Sequence, residues 1–254
     1  MDLSLYLAVL PSIVLGWIIW KNDKVEKEPF WLLVGLFFSG IGSVIVTLIM
    51  SFFVYLLPMC NPQAADNLIE LFFGVFIGIA LVEEFSKWIF VVLITWKNRE
   101  FTHLYDAVVY AVFVSLGFAT LENILYVFQG DLSTAIMRAI LAVPLHTFCG
   151  VFMGYFYGMA KQSEINGRKD LVTKNMWLSL LVPVFIHGFY DYCIYTQSSL
   201  FTMIFYVFVV LIYIFAFRRI IKLSKIKVPL KTTYCTKCGQ KSTGNFCPNC
   251  GNKI

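Results

Sequence analysis

Along a chain of 254 residues dominated by apolar side chains, a few ionisable groups stand inside stretches that hold no other charge. Glu83, Glu84 and Lys87 come first, then Glu122 with Asn123, then Arg138 and His146, and finally His187 with Asp191. Carboxylates and imidazoles are the parts from which general acid–base catalysis is assembled: a base to take a proton from water, an acid to return it, and a donor to steady an oxyanion. A His/His/Glu set of this kind could also hold Zn²⁺ or another metal. A charge at the centre of a bilayer costs roughly 2.5–3.5 kcal/mol on insertion scales, so each such group is first read as functional.

The surrounding stretches must place these groups. Hydrophobic residues make up 59% of the chain, charged residues 14%, and the mean hydropathy is +0.76. Soluble domains run near 45–50% apolar and about a quarter charged, which excludes a water-soluble globule. Apolar runs long enough to span a bilayer fall near 3–20, 30–57, 71–96, 107–128, 135–160, 176–195 and 200–217. The first run has no basic segment ahead of it and no small-residue cleavage site, so it reads as a retained span. The expected fold is an all-α membrane bundle of about seven transmembrane helices, residues 1–217, followed by a basic linker, 218–233, and a small zinc ribbon, 234–254.

All but two of the 20 Lys and Arg residues lie in loops 21–29, 97–106 and 161–175 or in the tail from Arg218; the two exceptions, Lys87 and Arg138, are within spans. The alternate connections, 58–70, 129–134 and 196–199, carry none. Basic residues are retained on the cytoplasmic side. The pattern predicts a multi-pass cell-membrane protein with its N-terminus outside and its C-terminus in the cytoplasm.

With that topology, helical rise puts Glu83 about 20 Å, Glu122 about 10 Å, His146 about 16 Å and His187 about 12 Å below the outer ends of their spans. Packing of four helices could therefore gather Glu83 or Glu84, Glu122, His146 and His187 into one polar site in the outer half of the bilayer. Gly150, Gly154 and Gly158 form a small-residue stripe that admits a neighbouring backbone, and His146 continues it. Glu83 and Lys87 are spaced to pair within one helix, which leaves Glu84 without a local partner. Two adjacent carboxylates cannot both ionise cheaply in a low dielectric, so one is poised for proton transfer. Arg138, near the outer boundary, is expected to reach headgroups.

The tail holds Cys235-x2-Cys238-Gly239 and Cys247-Pro248-Asn249-Cys250-Gly251. Two such knuckles present four thiolates tetrahedrally to one structural Zn²⁺, on the side where thiols stay reduced. Tyr234 and Phe246 would form the module's small core. With no aromatic stacking platform, nucleic acid is not the expected partner; a cytoplasmic protein is. Arg218 to Lys231 contains basic and no acidic residues, a composition drawn to the lipid bilayer's anionic headgroups. Cys60, Cys149 and Cys193 read as buried free thiols.

Glu83-Glu84-x-x-Lys87, Tyr110, Gly117-Phe118-Ala119-x-x-Glu122-Asn123-x-x-Tyr126, Pro144-x-His146 and His187-Gly188-x-x-Asp191 resemble, in this order on successive helices, the motifs of PrsW-type intramembrane proteases, relatives of the CAAX-processing and bacteriocin-immunity membrane proteases. The resemblance covers roughly residues 30–195 and leaves out the ribbon. It implies a glutamate-type protease, metal-independent at its active site, cleaving a membrane-anchored protein substrate with carboxylate-activated water. Carried onto this chain, it makes Glu83 and Glu84 the groups that orient and deprotonate water, with Glu122 supporting. His146 and His187 would stabilise the oxyanion or protonate the leaving amine, Asp191 would fix the His187 tautomer, and Lys87 and Asn123 are supporting residues. The competing classes are a proton-coupled transporter, which should show internal repeats, and a non-catalytic scaffold recruiting cytoplasmic partners through the ribbon.

Overall fold

In the computed structural model, which describes residues 3–24, 26–225, 230, 233–242, 247 and 249–252, the chain is a helical bundle with a short hairpin after it. The helices are α1 (Leu3–Asn22), α2 (Phe30–Val54), α3 (Leu68–Phe73), α4 (Val82–Thr95), α5 (Leu104–Gln129), α6 (Leu132–Met137), α7 (Val143–Ile165), α8 (Lys169–Tyr195) and α9 (Ser199–Leu223). Among the described residues, six helices are long and apolar enough to cross a membrane, α6 and α7 counting as one rod over Leu132–Ile165. The further expected span, 71–96, falls on a second composite rod of α3 and α4, where Glu83, Glu84 and Lys87 lower the hydropathy.

Both composite rods are joined by π-helical segments, Gly74–Leu81 between α3 and α4 and Arg138–Ala142 between α6 and α7. Wide turns of this type are uncommon and gather at functional sites. Small residues make the first one possible. A methyl on Gly74 would strike Pro62 and one on Gly78 would strike the carbonyl of Cys60, so the short turns Pro58–Cys60 and Pro62–Ala64 rest directly on the segment. Asn67 and Asp131 start their rods as N-caps, their side chains accepting backbone N–H groups of the first turn.

The bundle is arranged around α5, 72% of whose most apolar window is buried, against 28% for α1 and 17% for α9. A helix apolar on all sides belongs at the centre. Gly150, Gly154 and Gly158 of α7 lie against the α5 backbone from Leu104 to Val112, and Gly40 of α2 against Val114. These close approaches hold α5 at a fixed height and rotation between its neighbours.

Connections 23–29, 96–103 and 166–168 share one end of the bundle. Thr102 bonds Glu26, Lys161 bonds the Trp96 carbonyl, and the Leu230 N–H reaches the Thr102 carbonyl at 2.5 Å. Here Asp23, Glu28 and Asp106 are buried together, with the Tyr110 hydroxyl donating to Glu28 at 2.8 Å. Burial, then the charge of Asp106, pushes Glu28 up to about 9. Between the ordinary carboxylate range and about 9 the folded chain keeps a proton that the unfolded chain releases, so stability falls as pH rises through that window. Melting temperature of the detergent-solubilised protein should therefore decline from about pH 5 to about pH 9, and Glu28→Gln should flatten the decline. An equally steep fall in the variant would contradict this origin.

Candidate active site

Glu83, Glu84 and Lys87 occupy the first turns of α4, directly after one π segment, and His146 the first turn of α7, directly after the other. Glu122 and Asn123 come from the last third of α5, and His187 and Asp191 from one face of α8. All eight meet. Lys87 Nζ lies 2.8 Å from Glu84 Oε1, 3.6 Å from Glu83 Oε2 and 3.0 Å from His146 Nδ1, with the ammonium 4.0 Å from the centre of the Phe118 ring. Glu84 is thus not the unpartnered carboxylate expected. Both i,i+3 and i,i+4 partners are within reach of Lys87, and the closer one is Glu84, which His187 Nδ1 also contacts at 2.9 Å.

The hydrogen bonds assign the imidazoles. An ammonium only donates, so Nδ1 of His146 accepts from Lys87 and its Nε2–H donates to Glu122 at 2.9 Å. His187 has a carboxylate at each nitrogen, Glu84 at Nδ1 and Asp191 at 3.3 Å from Nε2. The two rings stand 5.1 Å apart, nearly perpendicular.

Arg138 does not reach for headgroups. Its guanidinium donates to Glu122 at 2.7 Å and to Asn123 at 2.8 Å and lies over Tyr126. Two acceptors one turn from the boundary offer it more than water would at a buried helix crossing. One signal pointed there, since an intramembrane arginine calls for an intramembrane partner and Glu122 is the nearest carboxylate in sequence that falls inside an apolar run.

A cavity of about 450 Å³ opens onto this cluster. Glu83, Glu122, His146, His187 and Asp191 line it, together with Arg138, Tyr126, Tyr190 and Tyr195; Glu84, Lys87 and Asn123 stand behind the wall. The difference matters: Glu84 and Lys87 are fully buried, whereas Glu83 keeps 9% exposure. Oε2 of Glu83 is buried without a hydrogen-bond partner. Of the tyrosines lining the wall, Tyr126 belongs to a motif quoted above, whereas Tyr190 and Tyr195 carried no distinguishing sign in the sequence, since a hydroxyl facing a cavity and one facing an interface read alike.

A family model described as "PrsW family intramembrane metalloprotease" matches residues 28–217. The chain belongs to the PrsW family. It is 36% identical over 212 residues to Protease PrsW of Oceanobacillus iheyensis, a match covering 84% of this chain and 92% of the relative. It is 34% identical over 190 residues to Protease PrsW of Geobacillus kaustophilus, covering 75% and 79%, and 35% identical over 191 residues to that of Bacillus subtilis, covering 75% and 82%. No solved structure matches. This PrsW-family chain is accordingly an intramembrane protease, a peptidase acting on protein in a membrane context. The transporter and scaffold classes give way to it.

The family description names a metal, and the residues can be tested for it. Glu83, His146 and His187 each present one donor atom, all within 4.8 Å of one another, and one Glu83 oxygen, Oε2, makes no hydrogen bond. Two imidazoles and a carboxylate are a donor set of metallopeptidase type, so the chemistry fits.

Beyond the matched region, Cys235, Cys238, Cys247 and Cys250 bring their sulfurs within 4.8 Å of one another, a cluster able to hold a metal ion. Nearest sulfurs are 3.4–3.5 Å apart, too far for disulfides. Gly239 and Gly251 follow the knuckles at φ +71° and +69°, a left-handed backbone that glycine adopts freely, and each N–H returns to the carbonyl of the knuckle's first cysteine. Strands β1 (Thr233–Tyr234) and β2 (Lys241–Ser242) pair antiparallel beside the first knuckle. The side chains of Tyr234 and Phe246, the expected small core, lie outside the described residues, as do residues 226–229, 231 and 232 of the linker. Cys60, Cys149 and Cys193 are buried free thiols.

Proposed function

We propose that the chain cleaves a membrane-anchored protein by glutamate-activated water, with Glu83 as the base. What supports this is the placement of Glu83: it is the α4 carboxylate that lines the cavity, and its Oε2 makes no hydrogen bond within the protein. Glu84 and Lys87 position the histidines from behind. His187, supplied with carboxylates at both nitrogens, protonates the leaving amine and steadies the oxyanion; the proton Glu83 took from water then returns to His187, whose Nε2 lies 3.8 Å from Glu83 Oε2, and Asp191 holds its tautomer. Glu122, held by Arg138, fixes the His146 tautomer. The tyrosine-lined cavity admits water and an unwound segment of substrate, since backbone leaving a helix inside a membrane needs polar surroundings.

A second reading has a specific observation in its favour. Glu83, His146 and His187 are spaced to hold a divalent cation, and four carboxylates meet only two fixed cations at this site, Lys87 and Arg138. Bound there, such an ion would supply Lewis-acid polarisation of the carbonyl and a more acidic water. In that case Glu83, His146 and His187 would hold the ion, Glu84 would remain with Lys87, and Asp191 would stay beside the His187 ring. Reconstituted protein lacking residues 232–254, assayed on a quenched membrane-anchored substrate, separates the two. Activity that survives exhaustive chelation, with no metal by elemental analysis, upholds the carboxylate reading; loss on chelation and recovery with metal overturns it in favour of the second.

The tail is proposed to bind one structural Zn²⁺ per chain through its four cysteines and to dock a cytoplasmic protein. Binding energy of this order is what folds so small a module. Elemental analysis should therefore find at least one zinc in the full chain, one fewer after removal of 232–254, and an intact bundle in the truncated form. A bundle that unfolds on truncation would contradict independence of the two parts. Orientation follows the distribution of basic residues, which gathers 23–29, 96–103 and 166–168 at one end. Reporters fused after Pro62 and Gly130 should be external and those after Arg99, Arg168 and Lys231 cytoplasmic; a cytoplasmic report from Gly130 would break the arrangement.

A further inference from the structure

A second cavity of about 450 Å³ lies between α7, α8 and α9, away from the active site. Its inner wall is apolar, formed by Phe152 of α7, Ile186 of α8 and Ile212 and Phe215 of α9. Its rim is cationic: Arg218, Arg219 and Lys222. The gap has a packing cause. Near the turn at 196–198, α9 lies on α8, with Phe205 against Tyr190 and Phe208 against Phe189. Further along, α9 rests on α7 instead, with Phe217 against Phe148 and the Arg219 guanidinium over the Tyr155 ring at 4.3 Å. The two helices α8 and α9 thereby part, and a slot opens between them.

Phe215, Arg218, Arg219 and Lys222 follow an i, i+3, i+4, i+7 pattern and so share one face of α9. Ile212 lies about 9 Å below Arg218 along the axis. No acidic side chain lines the cavity, and among the described residues none of the three cations makes an ion pair. An apolar slot about 9 Å deep under three positive charges without ion pairs, at the end of a membrane helix, has the amphipathic form that receives the headgroup and upper acyl segment of an anionic phospholipid. Juxtamembrane basic residues attract such headgroups by about 1 kcal/mol each, and a guanidinium meets phosphate oxygens two at a time. We propose that this cavity is a binding site for one anionic phospholipid, its phosphate held by Arg218, Arg219 and Lys222 and an acyl chain laid along Ile212, Phe215 and Phe152.

The test uses the full chain in neutral detergent, with lipid retention by native mass spectrometry and melting temperature as readouts. Dioleoylphosphatidylglycerol, dioleoylphosphatidylcholine and glycerol 3-phosphate are compared. The expected result is tight retention of the first, at least about tenfold weaker retention of the second, and no stabilisation by the third at matched concentration. Arg218→Gln/Arg219→Gln/Lys222→Gln should lose the preference by at least about tenfold. Ile212→Trp, which keeps every cation and fills the slot, should lose it too. Three outcomes would each overturn the proposal: equal retention of both lipids by the wild type; stabilisation by glycerol 3-phosphate as large as by phosphatidylglycerol, which would mark a free-phosphate site; or undiminished retention in Ile212→Trp, which would mark diffuse surface charge. The wild-type comparison stands even if a variant fails to fold.

Discussion

Glu83→Gln should lower cleavage by about 10²–10⁴-fold, the usual contribution of a positioned acid or base, while leaving melting temperature close to that of the wild type. The substitution keeps side-chain volume and removes a carboxylate that Lys87 holds only at 3.6 Å. Glu84→Gln should behave differently. Its partner oxygen is 2.8 Å from a fully buried ammonium and 2.9 Å from His187, and removing one member of a buried ion pair costs about 3–5 kcal/mol because the other is left uncompensated. That variant should lose activity together with thermal stability. The pair of measurements discriminates between the two carboxylates. A Glu83→Gln protein that cleaves at wild-type rate, beside a fully folded and inactive Glu84→Gln, would transfer the base to Glu84 and sink the assignment made here.

Gly154→Val should damage the protein more broadly, with a melting temperature lower by roughly 5–10 °C and little residual cleavage. A Cβ at this position would stand 2.5 Å from the Cα of Val108 and 2.8 Å from the carbonyl carbon of Ala107. Those are backbone atoms of the central helix and cannot turn aside as a side chain could. Overpacking costs about 1–3 kcal/mol where side chains give way and more where they cannot; at 2–4 °C per kcal/mol for a domain of this size the shift follows. Since α7 carries His146 and α5 carries Glu122, moving the helices apart also breaks the 2.9 Å bond between them. Gly35→Ala and Gly42→Ala, with nothing within 4 Å of the added carbon, should leave both readouts unchanged. Similar losses in all three variants would show that the flexibility of glycine along the spans, and not the α5–α7 approach, is what these positions serve.

Most of the architecture could be read before any coordinates, because a lipid solvent forces long apolar runs and the runs here are well separated by polar connections. The motif residues could also be brought together in advance, since depth along a helix is fixed by rise and the depths of Glu83, Glu122, His146 and His187 overlap. Other features depend on contacts that sequence does not encode locally. Hydropathy does not distinguish an i→i+5 turn from an i→i+4 turn, so the π segments at 74–81 and 138–142 were silent. Which of Glu83 and Glu84 lies closer to Lys87 is decided by where α7 and α8 dock, not by spacing. The role of Arg138 was obscured by its place near a span end, where headgroups and Glu122 are equally reachable on paper. The cysteine knuckles were legible in full, because four ligands at short fixed spacing specify their own geometry.

The position of the active-site cavity along the bundle has a consequence for energetics across the membrane. Its walls are drawn from Tyr126, Met137, Ile194 and Tyr195, at the helix ends beside the connections free of basic residues, while the opposite end of the bundle is closed by the packed loops around Glu28 and Thr102. On the proposed mechanism and orientation, water, protons and the newly formed chain ends should therefore exchange with a single compartment. Peptide hydrolysis here samples the acidity and ionic strength of that compartment alone, so a pH gradient imposed across sealed vesicles should set the rate from one face and leave it indifferent to the other.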